Sequence, residues 1–371
     1  MDYIIKQSVG IDIAKDTFTA CFCQRSISGE ERLSEVEDFK NIQTGFNRLI
    51  KWSRKITDPS LDVVFVMEAT GVYYENLAHQ LHKLKQPVIV LLPNKVKHFA
   101  KSLNVKTKTD LVDARVIARM GAERKLSHWE PPPVIFKLLR DLTREYSELM
   151  KEKTVFTNRL NANESSYKPH PAILKSKKEI IKKLDEHLIK LTEEIKRLIY
   201  SEEWLAPKVD KLLSIPGVGL MTIAVILAET QGFEFVQNIR QLCSYAGFDV
   251  VQRESGTSVK GKTRISKKGN SWIRGALYFP AIVASQHNPV LKTAYRRIIK
   301  DKPAKMIGIT ALQRKILVLI YTLWKNDTIF NEYHNQVQNA QESVDKKAGR
   351  GISSLPAQDE LLTKSQKSSF V

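Results

Sequence analysis

The chain has 371 residues, 42% of them hydrophobic, which excludes a wholly disordered protein and allows two or three domains of roughly 100–200 residues each. Its 59 Lys and Arg against 40 Asp and Glu leave a net charge of +19. That excess favours a polyanionic partner, because each phosphate neutralised releases condensed counterions. Only three cysteines occur (Cys21, Cys23, Cys243), too few for a disulfide framework or a structural zinc site. No basic-then-apolar leader opens the chain, and its longest apolar run, near Thr222 to Ala228, is far shorter than a membrane span. A cytoplasmic protein with no membrane partner is the expectation.

In chain order, residues 1–133 alternate strand-like runs (4–23, 62–67, 87–92) with helical patterns near 38–54, 72–85 and 108–120. That order predicts a mostly buried sheet flanked by helices, closed by Pro131-Pro132-Pro133. Four acids stand out here. Asp12 lies in the apolar strand SVGIDIAKDTFTACF, where a carboxylate is costly unless a charge or metal balances it. Glu68 ends the apolar run VVFVMEAT. Asp110 and Asp113, in KTKTDLVDARVIARM, are three residues apart and share a helix face. Hard oxygen ligands on rigid elements suit Mg²⁺ or Mn²⁺. A pair of such ions about 3.5–4 Å apart stabilises the attacking and leaving oxygens in phosphoryl transfer.

Residues 134–205 turn Lys/Glu-rich and helical. Ile181, Leu184, Leu188, Leu191, Ile195 and Leu198 step by three and four, a heptad seam. A matching seam (Leu139, Leu142, Tyr146, Leu149, Phe156, Leu160) is interrupted by Lys153, and Pro169 and Pro171 separate the two helices. Both a helical hairpin and an intermolecular coiled coil satisfy this pattern. Residues 206–332 read as a second, mainly helical globular unit, and 333–371 as a polar, disordered tail.

Two segments of the second unit point to phosphate. In LLSIPGVGLMTIAVILAE, Gly217 and Gly219 sit between apolar helical stretches. They read either as a helix-hairpin-helix turn offering backbone N–H groups to a phosphate, or as an ordinary packed turn. Beyond it, Arg253, Lys260, Lys262, Arg264, Lys267, Lys268 and Arg274 face a single acid, Glu254, with Ser255, Thr257 and Ser258 among them. Cationic, hydroxyl-rich backbone suits phosphate recognition. A serine there acts as a nucleophile only if a base, metal or positive charge activates it; a plain phosphate-binding loop is the alternative. The eight His residues form no ligand pair, and no P-loop is present.

The pieces GIDIAKDTF, MEATGVYYENLAHQL, KTDLVDARVIA, SIPGVG and SGTSVKGKTRISKKGNSWIRGAL resemble, in order and spacing, the DEDD-type insertion-sequence transposases. These are bridge-RNA-guided serine recombinases related to the Piv-type DNA invertases, and the resemblance covers about residues 7–325. It implies an N-terminal RuvC-like, RNase H-fold domain over 1–133 carrying the tetrad Asp12, Glu68, Asp110 and Asp113; Lys108 is a candidate nucleic-acid contact. It further implies a coiled-coil segment and a C-terminal transposase domain whose serine forms a covalent phosphoserine link to DNA. Ser255 falls at the nucleophile's position, with Ser258 as the second candidate, because the chain reads GFDVVQRE where many members carry a proline, and Glu254-Ser255-Gly256-Thr257-Ser258 where many have a Ser-Ser-Gly-Gly run. The implied partners are donor and target DNA, a structured guide RNA that supplies sequence choice, and further copies of the chain in a dimer or tetramer. A junction nuclease using metal-activated water and a non-catalytic nucleic-acid scaffold are the competing functions.

Overall fold

The computed structural model describes residues 3–252, 254–255, 259–261, 263–300 and 304–331, with 254–255 and 259–260 described by backbone alone. The expectation of a disordered tail falls outside these residues. The chain divides into two compact units, residues 1–132 and 133–371.

In the first unit, β1 (Ile4–Ile13) and β2 (Thr17–Ser26) pair antiparallel. The run 4–23 is therefore two strands, reversed by a tight turn in which Ala14 N–H donates to Thr17 O at 2.9 Å. Short strands β3 (Glu31–Leu33) and β4 (Glu37–Lys40) both pair with β2. Then come α1 (Gln43–Ile56), β5 (Val63–Glu68), α2 (Glu75–Lys83), β6 (Val88–Leu91), α3 (Pro93–Ser102) and α4 (Asp110–Glu123). The sheet order is β3-β2-β1-β5-β6, with β4 also on β2; β1, β5 and β6 run parallel.

Period-two alternation sorts the strands' side chains between two layers. Phe18, Phe39, Phe46, Leu49, Phe65, Met67, Leu77 and Leu81 form one core, with residues of α1 and α2. On the opposite face Val66, Ile89, Leu91, Val96, Phe99, Ile117 and Met120 pack with α3 and α4, next to Cys21, Cys23, Ala114, Ala118 and Ala122. Helix α4 lies unusually close to the sheet. A Cβ on Gly10 would stand 2.0 Å from Ala118 N, and one on Gly121 2.6 Å from a Val66 methyl. Ser8 Oγ donates to Ala118 O at 2.6 Å across the same seam. Small residues on both sides create this approach, and it sets the height of the α4 N-terminus above β1.

The second unit begins with two long helices, α5 (Val134–Glu164) and α6 (Pro171–Tyr200), joined by residues 165–170. They close their apolar seam on each other within one chain, burying Leu139, Leu160, Leu188 and Ile195. The interrupting Lys153 meets Asp185 of the opposite helix at 2.5 Å. There follow α7 (Ala206–Leu213), α8 (Leu220–Thr230) and α9 (Ile239–Ala246). Four two-residue strands come next: β7 (Val250–Val251), β8 (Glu254–Ser255), β9 (Val259–Lys260) and β10 (Arg264–Ile265). β7 pairs with β10 and β8 with β9, so part of the expected loop forms two short antiparallel ladders. Helices α10 (Ser271–Ala276), α11 (Tyr278–His287), α12 (Pro289–Ile299) and α13 (Lys305–Asn326) complete the unit. Helix α13 alone among the described residues is long and apolar enough to cross a membrane. Its Leu312, Ile316, Leu317 and Ile320 sit instead in the core with Ile135, Ile199 and Ile223.

Candidate metal centre and nucleic-acid interface

The four acids converge because of strand parity. Ser8 and Gly10 meet α4, so Asp12, two residues further along β1, faces the same way, while Ile11 and Ile13 enter the opposite core. In the neighbouring strand Val66 meets α4, and Glu68 follows it by two. The parallel register pairs Ile11 with Met67, so Asp12 and Glu68 emerge side by side at the carboxyl ends of adjacent strands. Asp110 and Asp113 occupy the first turn of α4, capped by Thr109, whose Oγ1 accepts from Val112 N–H. Acids there gain from the helix dipole.

Their mutual proximity is registered electrostatically. The Asp12 carboxyl is pushed up to about 6, first by burial and then by the charges of Asp113, Asp110 and Glu68, with Lys108 opposing. Asp113 is also raised, chiefly by burial, with Lys108 pulling it back and Asp110 adding to the rise. Glu68 Oε1 accepts from Thr70 Oγ1 at 3.1 Å. Among the described residues no three His, Cys, Asp or Glu side chains close into a metal-holding group. The acids stand in electrostatic range rather than in ligand contact. An open set of hard, mutually repelling oxygens fits a divalent ion that keeps waters and takes further ligands from phosphate; it does not fit a sealed structural site.

The second unit presents the basic segment. Arg264, Lys267 and Lys268 are exposed. Lys267 adopts a positive φ of 54° while its N–H donates to Gly247 O at 3.1 Å. Ser255 and Lys260 lie on the β8–β9 ladder by backbone, and Arg253, Ser258 and Lys262 lie outside the described residues. Arg274 is turned inward: its Nη1 donates to the carbonyls of Ala246, Gly269 and Asn270 at 2.7, 3.1 and 3.2 Å, so this nitrogen is held inside the fold. The two turn glycines also differ. Gly217, at φ +92°, packs on α11 with Ala284 N 3.2 Å from where a Cβ would sit, whereas Gly219 has nothing within 4 Å. The packed-turn alternative describes Gly217. Gly219 is the open N-cap of α8.

A polar cluster beside this segment escaped the sequence reading. Glu229, near the end of α8, is almost wholly buried, and receives Arg144 Nε and Nη2 at 2.7 and 3.0 Å and Asn270 Nδ2 at 2.6 Å. A lone carboxylate in the apolar stretch LMTIAVILAET was the available signal, the same one that marked Asp12.

Comparison with known proteins places these features. A family model described as "Transposase", of the DEDD type named for IS110, matches residues 9–169. A second, described as "Transposase IS116/IS110/IS902 family", matches residues 209–296. The pilin gene-inverting proteins of Moraxella bovis and Moraxella lacunata are each 29% identical over 332 residues, covering 88% of this chain and 98% of theirs. An IS110 insertion-element protein of Streptomyces coelicolor, described as uncharacterized, is 26% identical over 119 residues, 32% of this chain and 29% of its own. The first model spans all four acids and the second spans Gly217 through Arg274. The chain belongs to the IS110/IS116/IS902 family of transposases, enzymes of DNA recombination.

Proposed function

We propose that the protein recombines the DNA of an insertion sequence, guided by a structured RNA, through a covalent phosphoserine intermediate formed by Ser255 with help from Mg²⁺ at the tetrad Asp12, Glu68, Asp110 and Asp113. The observation that carries the proposal is the convergence of four carboxylates at the ends of β1 and β5 and the start of α4, where the charges of the other three each raise Asp12. The strand order, a β1–β2–β3 antiparallel meander with parallel β5 and β6 beside β1, supports a RuvC-like, RNase H-type reading of the first unit. The gene-inverting activity in the names of the two Moraxella relatives supports DNA cleavage and rejoining.

When bound, divalent ions supply charge neutralisation at the scissile phosphate and at the leaving oxygen. The chain's own residues supply the rest. Asp12 and Glu68 are held by the sheet, and Asp110 and Asp113 by a capped helix start, so the donor set is preorganised. Lys108 and the exposed Arg264, Lys267 and Lys268 hold DNA phosphates, and Gly219 offers open backbone at a helix start. The Ser255 hydroxyl attacks the phosphorus, the 3′ oxygen leaves, and the reverse attack by a DNA hydroxyl on the phosphoserine rejoins strands. The tetrad of one protomer serves the serine of another in a dimer or tetramer.

The test is trapping. Protein, Mg²⁺, the RNA flanking the element and labelled donor DNA are mixed and examined for a denaturant-stable protein–DNA adduct. The expected result is an adduct absent in Ser255→Ala and retained in Ser258→Ala. Cleavage with no adduct would replace this reading with a water-using nuclease, and binding with neither would leave a scaffold.

A further inference from the structure

Glu229 sits where three donors meet. Arg144 arrives from α5 with two nitrogens, and Asn270 from the loop before α10 with its amide. An ionised carboxylate is acceptor-only and can satisfy all three; a glutamine there would turn an amide donor against one of them. The same residue's carbonyl accepts Tyr245 O–H at 2.8 Å. Tyr245 and Asn270 are the two ends of one closed stalk. Asn270 N–H donates to Tyr245 O at 2.7 Å, Lys267 N–H to Gly247 O at 3.1 Å and Ser266 N–H to Asp249 O at 2.7 Å. Above these, β7 pairs with β10. Ser255 lies further along the same chain segment, on the β8–β9 ladder by backbone.

The root of the stalk is packed as tightly as it is bonded. A Cβ on Gly269 would fall 2.4 Å from Tyr245 O and one on Gly247 2.7 Å from Arg274 Nη1. Asn270 works at both ends of its amide, because its Oδ1 caps α10 by accepting from Trp272 N–H and Ile273 N–H at 2.9 and 3.1 Å. Helix α5 grips the start of α10 a second time: Arg144 and Lys151 lie over the Trp272 ring at 5.5 and 4.6 Å.

We propose that Glu229 is a positioning residue, a buried carboxylate that locks the root of the Ser255-bearing stalk to the long helix α5 so that hairpin and stalk move as one body. This rests on the reading of Ser255 as nucleophile. The clamp would make the direction of the serine depend on the angle of the α5–α6 hairpin, and so on whatever nucleic acid or second copy that hairpin meets.

The experiment uses the full chain carrying Glu229→Gln, with Arg144→Lys and Arg144→Ala as a graded pair. Two readouts are taken: amide hydrogen exchange across 245–270 without nucleic acid, and single-turnover adduct formation on saturating labelled donor DNA with its flanking RNA and Mg²⁺. Freeing the stalk speeds its exchange by about tenfold or more relative to the core helices of the same unit, beyond what any fall in global stability explains. A serine misplaced by an ångström slows adduct formation by about a hundredfold, while DNA affinity stays within about twofold because the phosphate contacts remain. Arg144→Lys, which keeps the charge but not the fork, falls between wild type and Arg144→Ala. Unchanged exchange in 245–270, or loss of rate in step with loss of DNA affinity, overturns the proposal. If Glu229→Gln does not fold, the Arg144 pair decides by the same criteria. If Ser255→Ala still forms adducts, the reading of the serine fails separately and the exchange result alone judges the clamp.

Discussion

Gly10→Ala is the sharpest test of how α4 is set. The added methyl would stand 2.0 Å from Ala118 N, 2.5 Å from Ala114 O and 2.5 Å from Ala118 Cα. Such atoms rest at about 3.5 Å in ordinary contact, so helix and strand must part by more than an ångström. The obstacle is backbone, and no side-chain rotamer relieves it. Overpacking a core costs about 1–3 kcal/mol, and a backbone obstacle belongs at the upper end, about 3 kcal/mol. At roughly 4 °C per kcal/mol for a unit of this size, its melting falls by roughly 10 °C. The displacement also carries Asp110 and Asp113 away from Asp12, so stabilisation by added Mg²⁺ shrinks and strand cleavage is lost. Calorimetry of the full chain with and without Mg²⁺ reads both effects, with Gly219→Ala as a control in open space. A Gly10→Ala protein melting within about 2 °C of wild type and still cleaving DNA would refute the argument that this glycine seats the helix.

Asp12, whose folded carboxyl is raised from 3.8 to about 6, binds a proton in the folded state that the unfolded chain has already lost. Metal-free stability therefore falls as pH rises from about 4 through 6; added Mg²⁺ reverses the loss above pH 6, and Asp12→Asn raises the metal-free melting temperature at pH 7 while abolishing cleavage. Melting curves across pH check all three, and a metal-free protein that gains stability over that interval contradicts the sign. Asp113→Asn is expected to stop cleavage and leave DNA binding largely intact, as read by gel shift beside a cleavage assay. Gly217→Ala forces a side chain into the positive-φ region, costing about 1–2 kcal/mol, whereas Gly219→Ala keeps stability and weakens DNA affinity; equal melting shifts in the two would contradict the distinction. DNA affinity should fall by about three orders of magnitude from 50 to 200 mM salt if six or so phosphates are neutralised, and a flat titration would remove the basic segment from the interface.

Much of the first unit was legible because β-branched runs with flanking helical periods leave few alternatives. The boundary between β1 and β2 was not: Ala14-Lys15-Asp16 holds no Gly or Pro, and the turn is held by the Ala14–Thr17 backbone bond and by distant Asn41, whose N–H donates to Asp16 O and whose Nδ2 donates to Ala14 O. Helix α3 was missed because its three lysines and a histidine blur its apolar period, β3 because an edge strand of three residues carries little pattern, and β4 because its residues fell within the helical pattern expected near 38–54. The acids were legible as charges in apolar settings; that α4 brings two of them to the other two depends on Gly10 and the alanines of its inner face. In the second unit the heptads announced two helices and left open whether they pair with each other. Arg274 read as one more cation of a basic run, and only tertiary structure reveals that it holds three carbonyls.

The three cysteines acquire a practical meaning from their placement. Cys21 and Cys23 are buried under the alanines of α4, and burial pushes the first thiol up and the second up to about 12. Cys243 is buried in the other core with Arg314 Nε 3.3 Å from its sulfur. The thiolate is the reactive form, so under mild conditions the native chain offers alkylating reagents almost nothing. A single cysteine placed on the surface would be the one handle that such reagents find. The wild-type sequence is thus already a background for attaching a spectroscopic probe to the hairpin or the basic stalk and watching each move as nucleic acid is added.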